Sequence, residues 1–290
     1  MPSTPTKPLV SVLTPSFNQG AYIGDTLRSV RMQTYSNVEH IVMDGGSTDE
    51  TVALLEAAGA GVDWVSEPDR GQTQALNKAF ERSHGEIIGW LNSDDAYYDT
   101  RVIEDVVDFF ARHPEVDVVY GHAARITAEG LVVRILHVPR FDYRRLLWDC
   151  FLFQPAVFIR RRVLVDGLLN EDFQFAMDWE LWLRLAQTRR FARLDRVLAV
   201  DRTHSERKIK TWLPIYEADR DRLGGMYGAH TGPPVTLGIR LEAVASRLAG
   251  ARFILTPGAP LAFTRKPESR WTLLRRQVAS RMSTWPEEYL

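Results

Sequence analysis

Several short polar segments carry residue types that can act on a phosphorylated ligand. Asn92-Ser93-Asp94-Asp95 follows directly on the apolar run Glu86-Ile87-Ile88-Gly89-Trp90-Leu91. Adjacent carboxylates at the carboxyl end of a strand suit a divalent cation, because hard cations take oxygen ligands and need only one or two protein carboxylates. Such a cation neutralises the charge that develops on a diphosphate leaving group. The same four residues are also good turn chemistry, so a turn with a helix cap is the competing reading. Asp44-Gly45-Gly46-Ser47-Thr48-Asp49 again follows an apolar run. An acid there can accept hydrogen bonds from a base or ribose, and the glycines let a ligand approach the backbone. The segment is neither a Gly-x-Gly-x-x-Gly fingerprint nor a lysine-bearing phosphate loop. Its competing reading is a strand-to-helix turn, with Ser47 and Glu50 as a capping box.

Three further segments join them. In Thr14-Pro15-Ser16-Phe17-Asn18, Phe17 can stack on a base while Thr14 or Asn18 hydrogen-bonds it. Asp178-Trp179-Glu180 places two carboxylates two apart, which on a helix do not face each other, so at most one serves a given substrate. Asp178 is either a helix N-cap or a general base toward a hydroxyl, and spacing alone favours the cap. Arg202-Thr203-His204 offers a cation for a diphosphate and an imidazole for a metal, or is a solvated basic loop. The seven histidines show no other ligand spacing, and Cys150 has no zinc-type partners.

The elements that must position these residues alternate over the first 120 positions. Strands are predicted at 9–13, 38–43, 62–65, 86–91 and 116–120. Helices are predicted from Ala21, after Asp49, over 72–83 and over 101–112, with Ile23, Leu27 and Val30 at helical spacing. Repeated βα units imply a mainly parallel sheet with helices on both faces and ligands at the strands' carboxyl ends. Beyond 121 the alternation loosens, with a strand-like run at 151–159 and an apolar helix at 179–187. Residues 206–290 hold fourteen Lys/Arg against eight Asp/Glu, with helical patches expected at 212–226, 237–248 and 271–282.

Composition bounds the class. The 290 residues are 45% hydrophobic and 25% charged, with a formal net charge of −1, which argues against a nucleic-acid-binding protein. One cysteine permits no internal disulfide and suits a reducing compartment. No signal-like stretch or run of eighteen apolar residues is present, so the expected location is cytoplasmic. The basic amphipathic stretch at 271–282 either buries its apolar side against the core or a second subunit in a homodimer, the commoner arrangement, or makes peripheral contact with the inner face of a membrane.

Together these segments resemble the family 2 glycosyltransferases, whose fold is GT-A, over about residues 8–210. The order is that of the family: Val12-Leu13-Thr14-Pro15-Ser16-Phe17-Asn18, Asp44 to Asp49, Gly85-Glu86-Ile87-Ile88, Leu91 to Asp95, and Ala176 to Arg184. The resemblance implies a GT-A, Rossmann-like α/β domain over 1–205, with a nucleotide-binding half at about 8–121 and an acceptor half at about 122–205. A mostly helical extension would follow at 206–290. It implies an inverting transfer from a nucleoside diphosphate sugar, UDP-sugar foremost, to the hydroxyl of a glycan, lipid-linked or small-molecule acceptor. Thr14, Pro15, Ser16, Asn18, Asp44, Gly45, Gln72, Asn77, Asn92, Ser93, Asp94 and Arg202 would lie on the donor side. Gln154, Trp179 and Glu180 would lie on the acceptor side. Asp94, Asp95 and His204 would hold Mn²⁺ or Mg²⁺, and Asp178 would be the general base. Three positions depart from the family pattern: Asn92 for the first Asp of the metal motif, Met177 for the Glu before the base, and Leu76 for a frequent Arg. The alternatives are a nucleotide-binding interaction protein and a sugar-nucleotide nucleotidyltransferase. The latter would need a basic residue in the loop after the first strand, where Gln19-Gly20 stands.

Overall fold

The computed structural model describes residues 7–128, 130, 132–204 and 213–229. Its first half alternates β1 (Val10–Ser16), α1 (Ile23–Arg31), β2 (Val38–Asp44), α2 (Thr51–Ala58), β3 (Asp63–Ser66), α3 (Gln72–Arg82) and β4 (Ile87–Trp90). β1 pairs in parallel with β2 and β4, and β2 with β3. Each helix returns the chain so that the next strand runs in the same sense, which gathers the strands' carboxyl ends along one edge.

Helices cover both faces here, so the strands read as apolar runs rather than as an alternating pattern. Val10 and Val12 pack with Val102, Ile103, Val106 and Phe110 of α4 (Val102–Arg112). Leu13, from the other face, packs with Ala75, Leu76 and Ala79 of α3. Leu76 is thus core, where the family often carries an arginine. In α1 the stripe of Ile23, Leu27 and Val30 is buried as its spacing demands.

The second half is organised differently. Its spine is the ten-residue β6 (Val118–Thr127). β7 (Val132–Leu136) folds back on β6 as an antiparallel hairpin, and β8 (Val157–Arg160) lies antiparallel between β4 and β6. β9 (Phe191–Thr203) runs parallel to β6 and pairs at its far end with the two-residue β5 (Ala96–Tyr97). The order is β3-β2-β1-β4-β8-β6-β9-β5, with β7 beside β6. The α/β expectation holds, but parallel pairing dominates only as far as β4. A hairpin connection such as β6–β7 is too short to carry a crossover helix and so enforces antiparallel pairing.

Three local expectations are corrected. α2 begins at Thr51 with no side-chain cap, because the Ser47 hydroxyl accepts from the Asn18 N–H at 2.7 Å and donates to Asp44 rather than accepting from the first turn of a helix. α6 (Met177–Ala186) has Ala176 at its N-cap, so Asp178 lies inside the first turn and is not the cap. The strand expected over 151–159 is a 3₁₀ turn at Gln154–Ala156 followed by the shorter β8, since Pro155 has no N–H to give a ladder. α5 (Tyr143–Leu146) precedes that turn, and α7 (Leu213–Tyr227) agrees with the helix expected at 212–226. The helices expected at 237–248 and 271–282, and with them the membrane or dimer contact, lie outside the described residues. Among the described residues, no helix is long and apolar enough to cross a membrane.

Candidate functional site

A cleft of about 810 Å³ opens where the ends of β1, β2 and β4 meet the start of α6. Pro15, Ser16 and Gly45 form its wall on the β1–β2 side. A Cβ at Gly45 would lie 3.0 Å from the Asp69 carboxylate, a tight approach that a side chain there would have to push aside. Phe17 also lines the cleft and is 59% exposed, a large apolar ring left open to a ligand. The Ser16 hydroxyl is buried without a hydrogen-bond partner, a cost that a bound ligand would relieve.

The conspicuous polar residues beside this wall are engaged elsewhere. Asp44 is buried, with one carboxylate oxygen accepting from the backbone N–H of Gly46 (3.2 Å) and Ser47 (2.8 Å) and the Ser66 hydroxyl (2.6 Å). Its other oxygen accepts from the Ser47 hydroxyl at 2.5 Å. Asn18 adopts a left-handed φ of 52°, and its amide oxygen accepts from the Thr48 N–H at 2.9 Å. These bonds stitch the β1–α1 loop to the β2–α2 loop. Thr14 is fully buried and its hydroxyl meets His40 Nε2 at 2.9 Å. Burial holds the His40 pKa down at about 3, so the ring is neutral. The side chains of Thr14, Asn18 and Asp44 therefore do not line the cleft; they shape the loops that do.

The floor is a network of amides. Asn92 Oδ1 accepts from Gln72 Nε2 and from Trp90 Nε1, each at 2.8 Å. Asn92 Nδ2 donates to Gln154 Oε1 at 2.9 Å and reaches Asp95 Oδ2 at 3.4 Å. Gln154 in turn donates to the Trp90 carbonyl. A carboxylate at position 92 could not donate to Gln154, so the neutral amide is what this floor requires. Gln72, Asn92, Ser93 and Gln154 all line the cleft. Asn77 does not: its amide makes two reciprocal bonds to the backbone of Leu169, 2.9 and 3.0 Å long, tying α3 to the segment before α6.

The metal expectation centres on Asp94 and His204. His204 Nε2 lies 3.0 Å from Asp94 Oδ2, with side-chain exposures of 3% and 23%. The imidazole packs against Tyr22 at 4.7 Å, and its Nδ1 is buried without a partner. Beside an open cleft, the Asp94 carboxylate and the His204 imidazole would supply two donor atoms to one small divalent cation. Three His, Cys, Asp or Glu side chains are nowhere grouped to hold a metal among the described residues, so Asp94 and His204 supply a partial set. Asp95 lines the cleft but is buried, and its Oδ1 accepts from the Arg202 backbone N–H at 3.1 Å.

Arg202 is engaged within the fold. Its buried guanidinium donates to the carbonyls of Asp94 (3.0 Å) and Ala128 (2.8 Å) and pairs with Asp25 at 2.7 Å. It does not line the cleft; it anchors the Asp94 backbone to the end of β9. Arg125 and its partner Asp201 do line the cleft, joined by bonds of 2.8 and 2.6 Å. Sequence reasoning passed over both. Arg125 sits in a long strand with no motif, and only the β6–β9 register sets it opposite Asp201.

Asp178 enters the cleft from α6, with its Oδ1 accepting from the Trp179 N–H at 2.7 Å. Desolvation raises its pKa from 3.8 to about 6, against the opposing effect of that bond. Met177 lines the cleft beside it, while the two residues that follow turn away, as helical spacing requires. Trp179 is buried and donates to the Leu146 carbonyl at 2.7 Å. Glu180 is buried, paired with Arg184 at 3.1 Å and accepting from the Tyr227 hydroxyl at 2.7 Å. Neither lines the cleft, while Gln154, the other residue expected on the acceptor side, does.

The chain is similar to several known proteins. An uncharacterised glycosyltransferase of Mycobacterium tuberculosis is 37% identical over 184 residues, 62% of this chain and 69% of its own length. Another, of Rickettsia conorii, is 28% identical over 217 residues, 70% of this chain and 35% of its own length. The matched part is likewise 35% of a Rickettsia felis relative, so the chain spans about a third of these two proteins. Among solved structures, S. aureus TarS in complex with UDP-GlcNAc superposes with a TM-score of 0.60 at 17% identity, covering 97% of this chain and 82% of that one. The mannosyltransferase PcManGT from Pyrobaculum calidifontis, in complex with GDP-Man and Mn²⁺, gives 0.59 at 20% identity, covering 98% and 89%. At these identities the likeness is one of fold. The profile of Glycosyl transferase family 2 matches residues 11–168, more than half of the sequence, and the chain belongs to that family.

Proposed function

We propose that the protein is an inverting, metal-dependent glycosyltransferase that moves a sugar from a nucleoside diphosphate to an acceptor hydroxyl in glycan or glycoconjugate biosynthesis. The observation that carries the reading is Asp178, a carboxylate in the cleft wall with its pKa pushed up to about 6. A base is most effective when its pKa lies near the working pH, and desolvation has moved this one there. Asp178 would take the acceptor proton as that oxygen bonds to the anomeric carbon, on the face opposite the breaking bond to the diphosphate. Inversion follows from that one displacement, with no covalent enzyme intermediate.

Phe17 would stack on the base and Ser16 would hydrogen-bond the nucleoside, both at the end of β1. Gln72, Asn92 and Gln154 would face the sugar, and their neutral amides suit hydroxyl groups. Asp94 and His204 would hold Mn²⁺ or Mg²⁺, whose chemistry is to neutralise the departing diphosphate. Support for a nucleotide-sugar donor comes from TarS with UDP-GlcNAc and PcManGT with GDP-Man and Mn²⁺. A relative in M. bovis that serves PGL/p-HBAD biosynthesis, 28% identical over 185 residues, supports a glycoconjugate pathway.

The test is a thermal-shift panel of UDP, GDP and their sugars, each with and without Mn²⁺. Ligands that bind the native state raise the melting temperature with affinity and concentration. We expect one base to stand out, UDP foremost, and its shift to grow with Mn²⁺. No shift with any nucleotide at millimolar concentration would refute the reading.

A further inference from the structure

We propose that Arg125 and Arg134 form an oxyanion subsite at the β6–β7 side of the cleft, which takes the phosphate or carboxylate of an anionic acceptor. The proposal rests on the glycosyltransferase reading for the place of the donor and goes beyond it in assigning the acceptor a charge.

β6 and β7 pair antiparallel with Arg125 directly opposite Arg134. Directly opposed residues project from the same face of a sheet, and like charges in that position destabilise the pairing. Asp201, the β9 register partner of Arg125, offsets part of this by accepting from Arg125 Nε and Nη2 through one oxygen. Among the described residues, Arg125 Nη1 makes no hydrogen bond and the exposed Arg134 no ion pair. The row Arg134, Arg125, Asp201 thus sets two guanidinium charges against one carboxylate.

The setting gives the excess charge a use. Arg125 is the one Arg or Lys among the described residues lining the cleft, against Asp69, Asp94, Asp95, Asp178 and Asp201. Those carboxylates would repel an anionic acceptor unless a local cation received it. The donor diphosphate already has a cation-binding pair in Asp94 and His204. β6 is separated in the sheet from the nucleoside wall on β1 and β2 by β4 and β8, which puts Arg125 on the side away from the base. The β6–β7 register also shifts between Arg125 and Ile126, and such bulges re-aim side chains next to active sites. A guanidinium with a free N–H edge binds phosphate or carboxylate through charge-assisted hydrogen bonds.

The experiment uses the full chain saturated with UDP and Mn²⁺, titrated by calorimetry with glycerol 3-phosphate, with glucuronate and with uncharged glycerol. We expect one of the two anions to bind and glycerol not to bind. Arg134→Gln and Arg125→Gln should each weaken that anion about tenfold, the scale of one lost charge-assisted bond. Arg125→Lys should keep part of the affinity, and UDP affinity should be unchanged in Arg134→Gln. Arg134 is exposed, so its variant is expected to melt like wild type, which separates lost binding from lost fold. The proposal is overturned if neither anion binds the loaded wild-type protein. It is equally overturned if the glutamine variants weaken UDP and spare the anion, since the pair would then serve the donor. Should UDP itself fail to bind, the donor reading fails, and titrating the anions into the ligand-free protein still decides the arginine pair.

Discussion

At the ends of β1 and β2, the side chains that look most functional are consumed by the fold. Asp44 accepts four hydrogen bonds from its own loop and strand neighbours, Asn18 clamps the adjoining loop, and Thr14 is paired with a buried histidine. What lines the cleft there includes Pro15, Ser16, Gly45 and the open ring of Phe17. At the ends of β4, β6 and β9 and the start of α6, the arrangement is reversed. Asp94, His204, Asp178 and Arg125 all present charge or titratable groups to the cleft. The first region builds a shape for a ligand to enter, and the second supplies the means to act on it. A polar residue at a strand end is therefore not by itself a contact; its hydrogen-bond partners decide.

Substitutions can break or sharpen that contrast. The largest effect is expected in the second region. Asp178→Asn should lower turnover of the nucleotide sugar chosen by the thermal-shift panel by roughly 10²–10⁴-fold, the usual worth of a general base. Its nucleotide-induced thermal shift should survive. Wild-type turnover should fall as pH drops through about 6, where Asp178 takes up its proton. The same shift has a stability consequence. A carboxyl pKa raised in the folded state makes native protein bind the proton more tightly than unfolded chain does, so this residue's contribution falls as pH rises from 3.8 to about 6. Asp178→Asn should accordingly melt above wild type at pH 7, and a lower melting point there would contradict the desolvated base.

Asp94→Ala comes next. It should remove the Mn²⁺-dependent part of the nucleotide thermal shift and lower turnover about 100-fold, a loss of several kcal/mol of charge stabilisation. An unchanged Mn²⁺ response would move the metal elsewhere. The smallest effect belongs to the first region. Asp44→Ala leaves buried donors unsatisfied and should cost about 3 kcal/mol of stability, read as a lower urea midpoint at constant slope. If it instead abolished nucleotide binding with the midpoint unchanged, the contrast between the regions would collapse.

Much of the first half was legible because connectivity and pattern are local. The apolar runs, the helical stripe of Ile23, Leu27 and Val30, and the turn chemistry at Asp44-Gly45-Gly46 imply parallel strands with polar ends at one edge. The capping box failed because the Ser47 hydroxyl accepts from the N–H of Asn18 on the neighbouring loop, and competition among hydrogen-bond partners is settled in three dimensions. Arg202 looked like a ligand cation for a similar reason. Nothing in its neighbours along the chain reveals that Asp25, Asp94 and Ala128 surround its guanidinium.

The amino-acid sequence by itself determined the α/β class, the family resemblance, and the positions of Asp94 and Asp178, because each lies within or beside an element whose pattern is read over a few residues. Tertiary structure alone decided which polar groups remain free to meet a ligand. It buried Thr14, Asp44, Glu180 and Arg202 among partners up to 177 residues away in the chain. It also set Arg125 between Arg134 and Asp201 through strand register. The physical reason is that a hydrogen bond or ion pair depends on distance in space, and short-range periodicity carries no information about which distant strand will supply the partner.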